Sequence, residues 1–403
     1  MNHMHVDRSL CEKLFQAFHA PGALPSGGVT RLGYSDTEDE MHAIFRREAE
    51  SLGFPVTTDE AGNSFAVGIP GAPYTLLGSH LDSVVDGGRY DGVAGVIAGL
   101  LVMKAMRDAG STIPVRTAAF RCEESSNFNH ATLGSELITG KISMDELEKL
   151  RSRDGTPLTD IFHSRGLQLI PQRIFGLRRY LELHIEQGRF LEEAGIPVGI
   201  VSAIAAPRRF TVTIVGMAEH SGATGMELRT DALPAAAELI LEVERIGRRE
   251  VAHQSVATTG IVNNYPNVMN VIPGETSLGV DMRGIDGESL RRMERALRRA
   301  AGMISTRRKT PVRVERLSAR EPVPMDPSLR ASLRKAADAL GIRTMEMPSG
   351  AGHDAMCFAD ICPTGMVFIP CRDGISHNSR EYAELSDLCA GADVLLSFLS
   401  REI

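Results

Sequence analysis

The sequence predicts an α/β protein of two domains, in which a smaller α+β domain is inserted into a larger one. The chain has 403 residues, whereas one hydrophobic core usually stops growing at about 250–300 residues. Strand and helix patterns alternate through the first half, which indicates a buried sheet with helices packed on it. A separate β-α-β-β-α-β pattern then occupies residues 207–320, and this order is typical of a split βαβ domain.

The larger domain is predicted from apolar runs that are bounded by glycine-rich turns. Strands are predicted at TDEAGNSFAVGI (58–69), PYTLLGS (73–79), PVRTAAFRC (114–122), YLELHIE (180–186) and MVFIP (366–370). GVAGVIAGLLVMKAMRDAG (92–110) has the pattern of a helix with a buried face that ends at Gly110. YLELHIE alternates apolar and polar residues with period two. We therefore expect residues 1–206 and 321–403 to form the main domain around the insertion.

The inserted segment 207–320 shows four strand patterns and two helix patterns. The strands are RRFTVTIVG (208–216), SVATTGIVNN (255–264), ETSLGVDMRG (275–284) and PVRVERLSA (311–319), and the helices are TDALPAAAELILEVERIGRRE (230–250) and GESLRRMERALRRAAGMI (287–304). Two helices on a four-stranded sheet cover one face only. We therefore expect a compact domain with one open sheet face.

Composition excludes several classes of function. The net charge of −7 and the pI near 6.0 argue against nucleic acid as a partner. The basic clusters at 291–299 and 305–309 fit a solvated helix face. No run approaches the ~20 apolar residues that span a bilayer, and the first residues lack a secretory signal pattern. Six cysteines without a CxxC pair favour free thiols, and hence a cytoplasmic protein with no membrane partner.

The stretch GSHLDSVVDGGRYDG (78–92) combines a histidine, aspartates and glycines after an apolar strand. His80 lies at the end of that strand, where α/β folds place ligand sites. Asp82 lies two residues on, where it could accept a hydrogen bond from His80 and orient its ring. Asp91 precedes the predicted helix at 92–110. The alternatives are a hydrogen-bonded core histidine for His80 and a helix N-cap for Asp91.

Glu123 and Glu124 follow the strand TAAFRC as a pair of adjacent carboxylates. Burying two adjacent carboxylates costs free energy unless a cation binds one of them. One could bind a metal while the other takes a proton from water. The alternative is an exposed acidic turn.

Two further histidines repeat the pattern of a ligand just after a strand. His184 lies in LELHIEQG, and His377 in DGISHNS follows the strand MVFIP. With His80, Asp91 and Glu124 they make five N/O ligands and no cysteine, a set suited to Zn²⁺ or Mn²⁺, with Co²⁺ or Ni²⁺ possible. Five ligands are too many for one open catalytic ion. They suit two divalent ions about 3.5–4 Å apart that share a bridging carboxylate.

These motifs, together with FRCEESSNF, AEHSGATGMELRTDAL, NVIPGE, DMR and SGAGHDA, occur in the order of a known family. The sequence resembles the amidase branch of the dinuclear-zinc aminoacylase and carboxypeptidase superfamily. That hydantoinase/carbamoylase branch includes N-carbamoyl-L-amino acid hydrolases, β-ureidopropionases, allantoate amidohydrolases and ureidoglycolate amidohydrolases. The two motifs HIEQG and GGRYDG together are more typical of this branch than of the superfamily's peptidases. The resemblance runs from about residue 30 to about residue 385.

The resemblance implies a mixed-sheet α/β/α metallohydrolase domain with a ferredoxin-like dimerisation (lid) domain inserted. His80 and His184 would each hold one metal, Asp91 would bridge, and Glu124 and His377 would complete the shells. Glu123 would be the general base. The remaining implied roles are a histidine that crosses a dimer to the scissile carbonyl (His220), residues for the substrate carboxylate (Asn270, Arg283), and further pocket residues (Gln187, Gly350, Ala351, Gly352). When the family is not considered, the alternative interpretations are a surface ion pair for Arg283 and the cap of a turn for His220.

Two places depart from the family pattern. His130 follows Glu124 and could lie near the site or on a loop, and we favour the loop. Ser379-Arg380 stands where relatives often carry proline, which leaves the identity of the substrate open. We expect a homodimeric hydrolase of an N-carbamoyl or ureido group on a small carboxylate, such as an N-carbamoyl-L-amino acid. The alternatives are allantoate or ureidoglycolate as substrate, an N-acyl amino acid hydrolase or peptidase, and a metal-binding module without catalysis.

Overall fold

The structure is a computed structural model that describes residues 4–401. The strands are β1 Val56–Thr58, β2 Ser64–Val67, β3 Tyr74–His80, β4 Val115–Phe120, β5 Leu177–Ile185, β6 Val198–Ile204, β7 Ala206–Val215, β8 Val256–Tyr265, β9 Glu275–Gly284, β10 Val312–Ala319, β11 Val323–Pro324, β12 Thr344–Ser349 and β13 Thr364–Ile369. The helices are α1 Arg8–His19, α2 Asp36–Ser51, α3 Val93–Asp108, α4 Leu133–Thr139, α5 Met144–Leu147, α6 Leu158–Ser164, α7 Phe190–Ala194, α8 Ala232–Arg249, α9 Gly287–Arg308, α10 Pro327–Ala339, α11 Ala355–Phe358 and α12 Leu385–Ser400.

The chain divides into two compact units. One comprises Met1–Ser202 and Met325–Ile403, and the other is Ala203–Pro324. The divisions lie within a few residues of the expected ones after 206 and before 321.

A nine-stranded mixed sheet has eight of its strands wholly or mostly in the larger unit, and the two-residue β11 belongs to the segment Ala203–Pro324. Its strand order is β1-β2-β4-β3-β5-β13-β6-β11, and β12 also pairs with β6. The neighbours β4, β3, β5 and β13 run parallel, and every residue of β3 is buried. A parallel strand is covered on both faces, so it is apolar along most of its length. The mixed α/β architecture predicted from the alternating patterns is confirmed.

Helix α3 is buried on almost every face. Its buried residues run without a break from Val93 to Met103, and its core cluster includes side chains from α1, α2 and α12. The predicted helix is therefore present, but it is a central element rather than one with a single buried face. Its first turn lies close to the end of β3, which brings the stretch 78–92 back on itself.

The smaller unit contains a four-stranded antiparallel sheet in the order β10-β7-β9-β8. Counted within the unit, that is the order 4-1-3-2 of a ferredoxin-like sheet. Alternate residues of β7 and β9 are buried and pack with α8 and α9 in one core. Residues of β8 are mostly exposed, so the sheet has an open face, as the β-α-β-β-α-β pattern predicts.

Aspartate or serine side chains cap most of the long helices. The capping residues are Asp7, Ser35, Asp231, Asp286 and Asp326, each of which accepts hydrogen bonds from first-turn N–H groups. Such caps satisfy backbone donors that have no partner inside the helix. Between residues 4 and 401, no helix is both long and apolar enough to cross a membrane.

Candidate metal centre

Three adjacent parallel strands bring the predicted ligands to one edge of the large sheet. Leu77 of β3 lies opposite Leu181 of β5, and continuing that register places His80 beside His184. On the other side of β3, His80 lies opposite Phe120, the last residue of β4. Because the strands run parallel, their carboxyl ends meet at the same edge. The side chains that follow these strands therefore converge.

His80, Asp91 and His184 form one group of buried side chains. Oδ1 of Asp91 lies 3.3 Å from Nε2 of His80 and 2.9 Å from Nε2 of His184. Ligand atoms from the three residues all lie within 4.8 Å of one another. His80 and His184 therefore lie in one candidate ligand group, whereas the resemblance implies that they hold different ions. Their strands are neighbours, so the two rings end side by side and share one oxygen of Asp91.

In both buried histidines Nδ1 lies against a carbonyl oxygen and Nε2 is directed to Asp91. Nδ1 of His184 lies 2.9 Å from the carbonyl oxygen of Ile185. Nδ1 of His80 lies 3.2 Å from the carbonyl oxygen of Asp82 and 3.3 Å from its carboxylate Oδ1. Because these oxygens only accept, one ring proton belongs on Nδ1, and Nε2 is the nitrogen that faces Asp91. A divalent ion such as Zn²⁺ or Mn²⁺ that replaced the proton at Nε2 would have the two imidazoles and the Asp91 carboxylate as ligands.

Asp91, Glu124 and His377 form the second group. Nε2 of His377 lies 3.0 Å from Oε1 of Glu124 and 3.2 Å from Oδ2 of Asp91, and the three ligand atoms lie within 4.8 Å of one another. His377 has a positive φ of 53°, and its side chain is 48% exposed. Asp91 belongs to both groups, with one carboxylate oxygen directed to each. A shared carboxylate is what two neighbouring ions require.

Asp91 does not cap helix α3. The capping position is Gly92, with φ 65° and ψ −53°, and it makes no side-chain capping bond. The Asp91 carboxylate is directed to the histidines instead. The simpler interpretation of Asp91 as a helix cap is therefore wrong.

Glu123 is buried beside the two groups without belonging to either among the described residues. Its side chain is 9% exposed, and Oε2 lies 3.9 Å from Nε2 of His80. Burial raises the pKa of Glu123 well above its ordinary value; the charge of His80 opposes this, while Glu124 and Asp354 add to it. A carboxylate with a raised pKa is suited to accept and return a proton. The pair is thus buried rather than an exposed acidic turn.

Two buried carboxylates hold the turn that carries Glu123 and Glu124. Asp82 accepts hydrogen bonds from the N–H groups of both, at 2.9 Å and 3.0 Å. Glu38 accepts from the N–H of Cys122 at 2.8 Å, and Cys122 has a positive φ of 51°. The predicted strand therefore ends earlier than its apolar pattern indicates. Asp82 orients this turn as well as lying beside His80.

Carboxylates outnumber the imidazoles in this part of the protein, so the site attracts positive charge. Burial lowers the pKa of His80, but Asp82, Asp91 and Glu123 raise it well above its usual range. Asp91 and Glu124 raise the pKa of His377 to about 11. Without metal ions, protons supply the positive charge that these carboxylates require. Divalent ions at the same ligands would replace those protons.

Four buried residues near the centre were not among the predicted site residues: Glu182, His353, Asp354 and Glu381. Glu182 accepts hydrogen bonds from the hydroxyl of Ser79 at 2.8 Å and the N–H of Ala355 at 2.9 Å. The ring of His353 packs edge-to-face on that of His184, with centroids 4.5 Å apart. Glu182 lies two residues before His184 on the same side of β5, so its spacing could have indicated it. His353 and Asp354 belong to the motif SGAGHDA.

Gln187 and the glycine turn lie close to the ligands. Nε2 of Gln187 is 2.8 Å from Oδ2 of Asp91, and Gln187 has a positive φ of 58°. The turn at 350–352 follows β12. Oγ of Ser349, the last residue of β12, lies 2.8 Å from Nε2 of His353. Since His353 contacts His184, this turn lies on the side of the first ligand group.

Two polar residues near the ligands have structural partners. Glu186 accepts hydrogen bonds from the N–H groups of Phe190 and Leu191 at 2.8 Å and 2.9 Å, so it caps α7. Nε2 of His130 lies 2.5 Å from Oε2 of Glu136 in α4. His130 is thus engaged by its own loop and helix.

His220 and Asn270 are neighbours in the smaller unit. His220 forms an isolated bridge with Val271, and the N–H of Ser221 donates to the carbonyl oxygen of Asn270 at 3.0 Å. This paired segment continues the β7–β9 ladder beyond Glu275.

Arg283 lies near the opposite end of β9. The strand from Glu275 to Arg283, at about 3.3 Å per residue, spans roughly 26 Å. Nε of Arg283 lies 2.8 Å from Oδ2 of Asp281, and its side chain is 36% exposed. Within one chain, Arg283 is therefore far from His220 and Asn270.

The parallel sheet edge and its two ligand groups define a candidate dinuclear metal centre. Residues 76–401 match peptidase family M20/M25/M40, and the chain belongs to this family. The match covers both units and all five candidate ligands.

Similar proteins indicate to which branch of the family the chain belongs. An N-carbamoyl-L-amino acid amidohydrolase of Geobacillus stearothermophilus is 38% identical over 387 residues, covering 93% of each chain. An allantoate amidohydrolase of Escherichia coli K12 is 34% identical over 390 residues, covering 94% of each. The crystal structure of an amidase of the hydantoinase/carbamoylase family from Burkholderia multivorans is 34% identical, with a TM-score of 0.92 over 99% of this chain and 98% of that one. The resemblance to the amidase branch is confirmed.

Proposed function

We propose that the protein is a metal-dependent amidohydrolase that cleaves the C–N bond of an N-carbamoyl (ureido) group on a small carboxylate-bearing molecule. The observation that carries this proposal is Glu123, a buried carboxylate 3.9 Å from a candidate ligand and outside both ligand groups. The names of the similar proteins support the choice of a carbamoyl or ureido group. An N-carbamoyl-L-amino acid is the substrate that we favour.

In the proposed reaction, water adds to the carbamoyl carbon and the C–N bond to the amine breaks. Two divalent ions, Zn²⁺ or Mn²⁺ and alternatively Co²⁺ or Ni²⁺, would supply Lewis acidity at His80, Asp91, Glu124, His184 and His377. Glu123 removes a proton from the attacking water and returns it to the leaving nitrogen. The products are the free amine and carbamate, which decays to CO₂ and ammonia. His220 would donate a hydrogen bond to the carbonyl oxygen as negative charge develops there.

Arg283 and Asn270, supplied by different chains of a dimer, would bind the carboxylate of the substrate, since the planar guanidinium can hold a carboxylate through two hydrogen bonds. Gln187 and the turn Gly350-Ala351-Gly352 would line the same pocket. Oε1 of Gln187 is buried without a partner among the described residues, so it could accept a hydrogen bond from a substrate N–H.

We further propose that the protein acts as a homodimer, with the smaller unit as its dimerisation and lid domain. Arg283 and His220 are separated by more than a small substrate can span within one chain. Two chains could supply one residue each to the same substrate. All six cysteines, which lie within residues 4–401, are free thiols, which supports a cytoplasmic location.

A panel of ureido and acyl compounds tests the proposal. With Mn²⁺ or Zn²⁺ restored to stripped protein, N-carbamoyl-L-amino acids should release ammonia, whereas dipeptides should not be cleaved. Allantoate and ureidoglycolate belong in the panel as alternative substrates, and N-acetyl amino acids test the acylase alternative. Cleavage of dipeptides or N-acetyl amino acids alone would contradict the proposal.

Removal of metal should lower thermal stability. At an ion concentration of 100 times Kd, each bound ion stabilises the folded state by about 2.7 kcal/mol, and it also offsets the repulsion between buried carboxylates. We expect the melting temperature to fall by several degrees after chelation and to recover when Mn²⁺ or Zn²⁺ is added. Calorimetry with and without EDTA measures this, with EDTA presaturated with Zn²⁺ as control. An unchanged melting temperature, with metal loss verified by elemental analysis, would contradict the predicted stabilisation, whereas protein that binds no added ion would contradict the metal site.

A further inference from the structure

Glu381 is a buried carboxylate that contacts the ligand segments without belonging to either ligand group. It is 4% exposed. Oε1 accepts hydrogen bonds from the N–H groups of Tyr90 at 2.9 Å and Asp91 at 3.0 Å. Oε2 accepts from the hydroxyl of Ser376 at 2.7 Å. Glu381 thus connects the backbone of the shared ligand Asp91 to the residue before His377.

The hydroxyl of Ser376 lies between two carboxylates. Its oxygen is 2.7 Å from Oε2 of Glu381 and 3.1 Å from Oδ2 of Asp91. A serine hydroxyl has one hydrogen to donate, and the shorter contact assigns it to Glu381. Oδ2 of Asp91 accepts a hydrogen bond from Nε2 of Gln187 at 2.8 Å, and its remaining lone pair then stays directed to the second ligand group.

Gly88 in the motif GGRYDG leaves room for the carboxylate of Glu381. A Cβ atom added to Gly88 would lie 1.8 Å from the carboxyl carbon of Glu381. Only a residue without a side chain lets the backbone pass this close to the carboxylate. The motif therefore places the N–H groups of Tyr90 and Asp91 against Glu381.

We propose that Glu381 is a positioning residue for the metal centre. It holds the backbone of Asp91 and keeps the Ser376 hydrogen turned away from the shared carboxylate, so that Asp91 can serve both ligand groups. The inference rests on the proposed metal-dependent function. It concerns ion affinity directly and can be tested without substrate.

The substitution Glu381→Gln tests this role with little change in shape. The amide oxygen can still accept from the two backbone N–H groups, but the NH₂ group faces Ser376. The hydroxyl of Ser376 must then accept, and its hydrogen turns to Oδ2 of Asp91. We expect affinity for Mn²⁺ or Zn²⁺ to fall about 10–100-fold, measured by competition with a chromophoric chelator and by metal content after dialysis.

The double variant Glu381→Gln/Ser376→Ala distinguishes orientation from general loosening. Removing the hydroxyl removes the hydrogen that competes for Asp91, so ion affinity should recover most of the loss. Asp393→Asn is the matched control: Asp393 is 9% exposed and accepts from the distant N–H of Val6 at 2.7 Å, in contact with neither ligand group. This variant should bind ions as the wild type does.

Each outcome decides a separate question. Wild-type affinity in Glu381→Gln, or a loss that the double variant does not recover, overturns the inference about Glu381. Absence of ion binding in the wild-type protein overturns the proposed function instead. If Glu381→Gln does not fold, Gly88→Ala displaces the unaltered carboxylate and should cause the same loss of ion affinity; wild-type affinity in that variant would overturn the inference.

Discussion

Replacing Glu123 by glutamine should reduce turnover by about 10²–10⁴-fold, the usual contribution of a positioned general base. The amide keeps the size of the side chain but cannot remove a proton from water. Since Glu123 belongs to neither ligand group in the described part of the chain, both ions should remain bound. Steady-state kinetics with an N-carbamoyl-L-amino acid and metal analysis of the same preparation measure the two effects.

Glu48→Gln is a suitable control for Glu123→Gln. Over the whole residue, Glu48 in α2 and Glu123 are both 7% exposed, and Glu48 pairs with Arg47 at 2.8 Å. Its substitution tests the loss of a buried carboxylate away from the sheet edge and should leave turnover unchanged. Unaltered turnover in Glu123→Gln would overturn the mechanism. Loss of bound metal in that variant would mean that Glu123 acts as a ligand.

Replacing Gly92 by alanine should remove ion binding and destabilise the fold by about 2–5 kcal/mol, the sum of overpacking and an unfavourable backbone conformation. A Cβ at this position would lie 2.6 Å from Cε1, Nδ1 and the carbonyl oxygen of His80. The positive φ of 65° is also strained for alanine. His80 must therefore move away from Asp91. Chemical denaturation and metal analysis measure the two effects.

Gly110→Ala separates backbone strain from the contact with His80. Gly110 follows the other end of α3, has a positive φ of 72°, and has no atom within 4 Å of the added Cβ. This variant should lose only about 1–2 kcal/mol, the cost of a left-handed conformation, and should keep its metal. Equal metal content in Gly92→Ala and the wild type would show that His80 is not held by this close approach.

The strands of the site could be predicted because their signal is local. A run of apolar residues before His80 or His377 indicates a buried strand whatever its neighbours are. YLELHIE shows the limit of such patterns. Its alternation predicts two unlike faces, yet Glu182 and His184 are both buried, because helices and the site cover the polar side. A period-two pattern says which residues share a side, but not what covers them.

The five candidate ligands could be named from the sequence as a set, but not their grouping in space. His80 and His184 are 104 positions apart and become neighbours only because β3 pairs with β5. Sequence spacing contains no information about strand order, so it could not show that both histidines lie in one candidate ligand group. The contacts of Glu381 with Asp91 and of Glu38 with Cys122 also join distant segments. In sequence both look like ordinary helix or loop glutamates.

By itself, the sequence determined the α/β class, the inserted β-α-β-β-α-β unit, the identities of the five candidate ligands and the adjacent carboxylate Glu123. These depend on hydrophobic periodicity and on residue chemistry, which act over a few neighbouring positions. Only the tertiary structure decided that Asp91 directs one oxygen to each ligand group and that Asp82 and Glu381 hold backbone N–H groups. Those arrangements depend on which strand ends meet at the sheet edge. A buried carboxylate needs hydrogen-bond donors, and only the folded chain determines which N–H groups lie within reach.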